Sequence, residues 1–61
     1  MIYVDYSYRR KSDGKVCTAT ATFDTPNKAV RFIYGLSHKH MYMDGISADD
    51  NDELYDVINK L

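Results

Sequence analysis

The chain has 61 residues, which is enough for a single domain over residues 1–61 and too few for a second one. Its hydrophobic fraction of 44% and charged fraction of 28% are ordinary for a globular protein and exclude disorder throughout. No apolar run approaches the ~20 residues that a membrane-spanning helix needs. A chain this short is also expected to lack a deep pocket, because such pockets usually form between domains or large layers.

The cysteine content and the first residues predict a cytoplasmic protein. Residues 1–5 lack the basic segment and apolar stretch of a secretory signal. Cys17 is the single cysteine, so it cannot form an internal disulfide or a multi-thiolate metal site.

Charge is unevenly distributed along the chain, although the net charge is only −1. Residues 1–43 hold seven Lys/Arg and three Asp/Glu, a balance of +4, and residues 44–61 hold one Lys and six Asp/Glu, a balance of −5. This pattern predicts an electrically two-sided molecule, which bears on partners and solubility and not on the fold.

Alternation with a period of two predicts two half-buried strands, over residues 2–9 and 16–23. On one face the first strand carries Ile2, Val4, Tyr6 and Tyr8. On the matching face the second strand carries Cys17, Ala19, Ala21 and Phe23. The reverse faces are mainly polar, so we expect one side of the hairpin to be covered and the other to stay in solvent.

The dipeptide Asp13-Gly14 between these strands favours a two-residue type I′ hairpin turn. Such a turn places Ser12 opposite Lys15. It then predicts that Tyr8 pairs with Ala19, Tyr6 with Ala21 and Val4 with Phe23.

Helical spacing of apolar residues predicts two helices, over residues 24–40 and 49–60. Thr25 is a candidate N-cap of the first, and Pro26 suits its first turn. The second begins with acidic residues and ends at Lys60, as the helix dipole favours. Its apolar stripe comprises Leu54, Val57, Ile58 and Leu61. Residues 41–48 suit either a third strand or a loop.

The predicted fold is α+β, a small two-layer β-β-α-β-α domain. Its three-stranded, mainly antiparallel sheet has the order 2-1-3 and carries both helices on one face. The open face is expected to present Tyr3, Arg9, Thr18, Thr20, Thr22 and Tyr42.

No group of residues indicates catalysis, so we expect a protein that is not an enzyme, has no cofactor and takes no small-molecule substrate. His38 and His40 lie two residues apart near Asp44, and they would share one side of a strand as a metal site requires. On a helix the same two side chains diverge by about 200°, which favours two solvated histidines. Cys17 is expected to be a small inert core residue.

Interaction with another protein is the leading functional interpretation. Tyrosine and arginine are enriched where proteins meet, and an open sheet face with an exposed edge strand suits a protein partner or self-association as a homodimer. The alternative is a nucleic-acid-binding accessory protein that uses the basic hairpin tip. The candidate binding residues are Tyr3, Arg9, Arg10, Lys11, Lys15, Thr18, Thr20 and Tyr42.

Overall fold

The computed structural model describes all 61 residues and has five elements in the order β-β-α-β-α. They are β1 (Ile2–Arg9), β2 (Val16–Phe23), α1 (Pro26–His38), β3 (Tyr42–Ala48) and α2 (Asn51–Lys60). β1 pairs antiparallel with both other strands, giving the sheet order β2-β1-β3. The predicted α+β class and strand order are confirmed, and the third strand exists. Neither helix combines the length and apolar character needed to cross a membrane.

Capping residues make both helices shorter than predicted. Thr25 is the N-cap of α1, with its hydroxyl accepting the Lys28 N–H at 3.4 Å, and Pro26 opens the helix as expected. In α2 the N-cap is Asp50, whose carboxylate accepts the Asp52 N–H at 2.9 Å. The extended backbone of each N-cap ends the preceding segment, so neither helix reaches back to residues 24 or 49.

Both helices lie on the face of the sheet that carries the apolar residues of β1. Six residues are buried, and five of them form one packed cluster: Ile2, Val4, Ala29, Val30 and Val57. Phe32 extends this packing toward the hairpin, with its ring centroid 5.2 Å from that of Tyr6 and 5.1 Å from that of Phe23. The prediction that the Tyr/Ala side of the hairpin is covered is therefore confirmed.

The pairing register of β1 and β2 differs from the predicted one. Tyr6 lies opposite Ala19 and Val4 opposite Ala21, where the two-residue turn predicted Ala21 and Phe23. The other apolar pairs are Tyr8 with Cys17 and Ile2 with Phe23. Because the shift is an even number of residues, every side chain stays on its predicted face although the predicted pairs are wrong.

A four-residue loop, residues 11–14, sets this register in place of the predicted two-residue turn. The Arg10 N–H donates to the Lys15 carbonyl over 2.8 Å, and the Gly14 N–H donates to the Arg10 carbonyl over 2.8 Å. The Asp13 carboxylate accepts the Lys15 N–H at 3.0 Å and the Arg10 guanidinium. Gly14 has a φ of 72°, which glycine adopts without steric cost. The two partners of Asp13 hold it within the loop, and Gly14 closes the reversal.

A β-bulge interrupts the pairing of β3 with β1. Met43 lies opposite Tyr6, whereas Gly45 lies opposite Asp5. Asp44 is therefore an extra residue on β3, and its carboxylate accepts a hydrogen bond from Ser7 of β1. Pairing with β1 continues beyond the bulge, where Ile46 lies opposite Val4.

The end of α1 has the hydrogen bonds of a Schellman motif with a histidine at the glycine position. The Met41 N–H donates to the Leu36 carbonyl over 2.9 Å, and the His40 N–H donates to the Ser37 carbonyl over 3.3 Å. His40 consequently has a φ of 56°, in the left-handed region that disfavours residues with a Cβ. The residue that stops the helix thus stores backbone strain.

Replacing His40 by glycine is expected to stabilise the domain. Relief of the left-handed strain outweighs the extra flexibility of glycine in the unfolded chain by about 0.5–1 kcal/mol. Thermal and urea unfolding of His40→Gly beside the parent chain measure this difference. The matched control is Lys39→Gly. Lys39 has a φ of −97°, which suits residues with a Cβ, so this change should lower the stability of the domain. A lower melting temperature for His40→Gly would contradict the assigned motif.

The molecule is elongated, with principal extents of 39 × 20 × 15 Å. Its core lies beneath the start of β1, and the hairpin loop projects at the other end of that strand. Cations concentrate at the loop end: Arg9, Arg10, Lys11, Lys15 and Lys39. Acidic side chains concentrate at the core end: Asp24, Asp49, Asp50, Asp52 and Glu53.

Candidate functional site

Five of the eight predicted binding residues share the open face of the sheet. Strand alternation places Tyr3, Arg9, Thr18 and Thr20 on the side away from the helices, and Tyr42 joins them because it lies opposite Ser7. Tyr42 is 71% exposed. Arg10, Lys11 and Lys15 lie at the hairpin tip and not on this face. The predicted set therefore forms two surfaces, which meet at Arg9.

Several polar groups on the open face already have partners within the chain. The Thr20 hydroxyl donates to Asp5 over 2.6 Å, and the Ser7 hydroxyl donates to Asp44. The Tyr3 hydroxyl donates to the Asp49 carboxylate over 3.1 Å, and this hydrogen bond raises the pKa of Tyr3 above its ordinary value. The centre of the face is thus a satisfied polar network.

The backbone of β2 forms an unpaired edge along the whole strand. The Arg10 N–H donates to the Lys15 carbonyl, so Arg10 and Lys15 form a hydrogen-bonded pair of the hairpin. Antiparallel pairs alternate between bonded and non-bonded, so even-numbered residues of β1 bond to odd-numbered residues of β2. The Asp49 N–H, which donates to the Met1 carbonyl over 3.1 Å, shows that odd-numbered residues of β1 face β3. The outward N–H and C=O groups of β2 therefore belong to Val16, Thr18, Thr20 and Thr22.

The two edges of this sheet differ in how they are protected. Along β3, the bulge at Asp44 and its charge interrupt the edge. Along β2, the sequence from Val16 to Phe23 contains no charge, no proline, no glycine and no bulge. Charged residues, prolines and bulges normally prevent pairing between sheet edges. A long regular edge without them is a template for another strand.

At the hairpin tip, both arginines help to hold the loop. Arg10 pairs with Asp13, and this hydrogen bond lowers the pKa of Asp13 and raises that of Arg10. The Arg9 guanidinium donates to the Gly14 carbonyl over 3.0 Å. The ammonium groups of Lys11 and Lys15 have no partner within the chain.

A surface cleft of about 410 Å³ lies between the hairpin tip and the end of α1. Its lining comprises Tyr8, Arg9, Arg10, Lys11, Lys39, His40 and Met41. It lies at the surface, at one end of the molecule, and two neighbouring segments form it without large layers on either side. Sequence reasoning missed the contribution of residues 39–41, because only the tertiary fold brings the end of α1 beside the hairpin.

The remaining candidates of the sequence form no constellation. α1 ends at His38, so His38 and His40 lie on either side of the helix end. No three His, Cys, Asp or Glu side chains lie close enough together to hold a metal ion. Cys17 is partly buried beneath the sheet, with its sulfur 3.9 Å from the Lys15 carbonyl.

Comparisons with protein-family models, with curated proteins and with solved structures find no match to this chain.

Proposed function

We propose that this protein is a non-enzymatic interaction module that binds by strand addition at the β2 edge, with a second copy of the chain as its partner. The unprotected edge of β2 carries this proposal. Two β2 strands paired antiparallel would join two three-stranded sheets into one six-stranded sheet. The open faces of the two copies would then form one continuous polar surface bearing Tyr42 and the threonines.

Charge favours a second copy as the occupant. β2 itself carries no charge, so pairing around a two-fold axis brings no like charges opposite each other. Lys15 precedes the strand and Asp24 follows it. Antiparallel pairing therefore places the Lys15 end of each copy beside the Asp24 end of the other.

The small core supplies a second reason. Only six of the 61 residues are buried, so the isolated domain has little apolar burial to oppose its conformational entropy. Pairing two edges satisfies the outward N–H and C=O groups and covers the flanking side chains. When Ala19 lies at the two-fold axis, Thr18 of one copy faces Thr20 of the other and the strands overlap almost completely.

The test is the solution mass of Thr18→Pro against the parent chain, measured by sedimentation equilibrium over a wide concentration range. Proline removes an outward N–H of the β2 edge without touching the bonds to β1, so the variant should fold and stay monomeric. Thr18→Val is the matched control, since it keeps the N–H and should still dimerise. Thr18→Lys provides a second block with an unaltered backbone.

A parent chain that stays monomeric at millimolar concentration would refute pairing with a second copy, as would a dimer that persists in both Thr18→Pro and Thr18→Lys. A parent monomer that captures a separate protein through an intact β2 edge would identify a different partner for the same edge.

A second candidate function is nucleic-acid binding at the hairpin tip. It is supported by the unpartnered Lys11 and Lys15 and by Lys39, which the fold adds at the same end of the molecule. Binding to single-stranded or duplex oligonucleotides should be strongest at ~50 mM salt, because phosphate contacts weaken steeply as salt rises. Absence of binding at that salt would remove this candidate.

The proposed location of this activity is the cytoplasm. A lone cysteine in a chain of this size suits a reducing compartment, where a domain cannot depend on disulfides.

A further inference from the structure

We propose that the cleft between the hairpin tip and the end of α1 binds a small organic phosphate. The phosphate group would interact with Lys11, Lys39 and His40, and the organic portion would lie against Tyr8 and Met41. This site is separate from the β2 edge and does not depend on self-association.

Charge in the cleft points to an anion. Five of its seven lining residues are Arg, Lys or His, and none is Asp or Glu. Asp13 neutralises Arg10 from within the loop, but no acidic side chain pairs with Lys11 or Lys39. Basic residues line the cleft from two separate segments, the hairpin tip and the end of α1. A phosphate offers several acceptor oxygens to donors that approach from different directions.

The size and floor of the cleft indicate more than a bare ion. A volume of about 410 Å³ lies within the range of small-molecule sites, roughly 300–1,000 Å³. Tyr8 and Met41 are both partly buried there, and the aliphatic stems of the lysines extend the apolar wall. The Tyr8 hydroxyl makes no hydrogen bond within the chain, so it is free to donate to the ligand.

The strained conformation of His40 is an independent observation at the same place. Glycine would end α1 without strain, yet the chain has an imidazole at this left-handed position, where it lines the cleft. Backbone strain of this kind clusters at active sites and ligand-binding sites. Stability and ligand binding are therefore expected to respond in opposite directions when His40 is replaced.

Titration with phenyl phosphate, followed by backbone amide and Tyr ring NMR shifts at ~50 mM salt, tests the site. We expect saturable shifts at Lys11, Lys39 and Met41 and at the Tyr8 ring. Lys11→Ala combined with Lys39→Ala should weaken binding about tenfold or more without changing the fold, because two charge-assisted contacts are lost. Lys15→Ala is the matched control, since Lys15 lies at the same tip but outside the cleft. His40→Gly should weaken binding several-fold while raising the melting temperature.

Three results would overturn the proposal. The first is the absence of saturable shifts up to ~10 mM phenyl phosphate, a concentration well above that of a functional weak site. The second is an equal loss of affinity in Lys15→Ala and in the double variant, which would indicate general attraction to a basic end. The third is an affinity of the cleft for inorganic phosphate, or for a single-stranded oligonucleotide, that equals or exceeds its affinities for phenyl phosphate and a nucleoside monophosphate. That result would exclude recognition of the organic portion.

Discussion

Val57→Asp is expected to leave the chain unfolded at 25 °C. Val57 is fully buried between α2 and the sheet, where a carboxylate would lose its hydration without gaining a partner. Domains of this length have a free energy of unfolding of about 3–9 kcal/mol. The lost valine packing costs roughly 2 kcal/mol and the buried charge several more, so the sum exceeds or equals the whole stability. Far-UV circular dichroism and amide NMR dispersion measure the outcome.

Ile58→Asp is the matched control for this change. It places the same residue one position along α2, at a side chain that is 47% exposed. The expected loss is below ~1 kcal/mol, because the new carboxylate remains in solvent. A folded Val57→Asp protein, or equal destabilisation by both substitutions, would contradict the orientation of α2 on the sheet.

Ala19→Pro is expected to lower the stability almost as much, because the observed register directs the Ala19 N–H toward β1. Ala19 lies opposite Tyr6 in a hydrogen-bonded pair, and proline removes that donor and places its ring against β1. The cost is about 3 kcal/mol or more, a large part of the stability of a 61-residue domain. Urea unfolding followed by circular dichroism gives the difference.

The neighbouring Thr18→Pro variant separates register from general intolerance of proline. The Thr18 N–H points away from β1, so the expected cost is only about 1 kcal/mol. If Thr18→Pro were the less stable of the two, the even-numbered residues of β2 would bond to β1 in place of the odd-numbered ones. If both variants were folded and equally stable, β2 would not be paired along its middle.

Side-chain periodicity was sufficient to predict the hairpin and both helices, but not whether residues 41–48 form a strand. Alternation in β1 and β2 and helical spacing in α1 determine which face of each element is apolar, and these faces pack against each other in the core. The stripe of α2 was predicted less well. Ile58 and Leu61 share the spacing of Val57, yet they are 47% and 46% exposed. Ile58 lies about 100° around the helix from the fully buried Val57, and Leu61 is the C-cap beyond the last helical residue.

The register could not be predicted from Asp13-Gly14 alone. The dipeptide suits a two-residue turn, but the side chain of Arg10 pairs with Asp13 and stabilises a longer loop. Such a contact depends on side-chain geometry that periodicity does not encode. The even shift that resulted preserved the faces, so the error had no consequence for the predicted layers.

The candidate site was predicted in part. Exposure of Thr18, Thr20 and Tyr42 follows from strand alternation and was anticipated. The cleft was not, because Tyr8 and Lys39 are distant in sequence and meet only where α1 stops beside the hairpin. The position of that stop depends on the left-handed conformation of His40, which composition does not reveal.

The separation of charge along the 39 Å axis gives the molecule a permanent electric dipole. Its positive pole is the hairpin loop, and its negative pole is the end where α2 begins. Two such dipoles lying side by side attract when they point in opposite directions and repel when they are parallel. Long-range forces would thus orient two approaching copies head to tail before any backbone contact forms, which is the relative direction that antiparallel joining of their β2 strands requires.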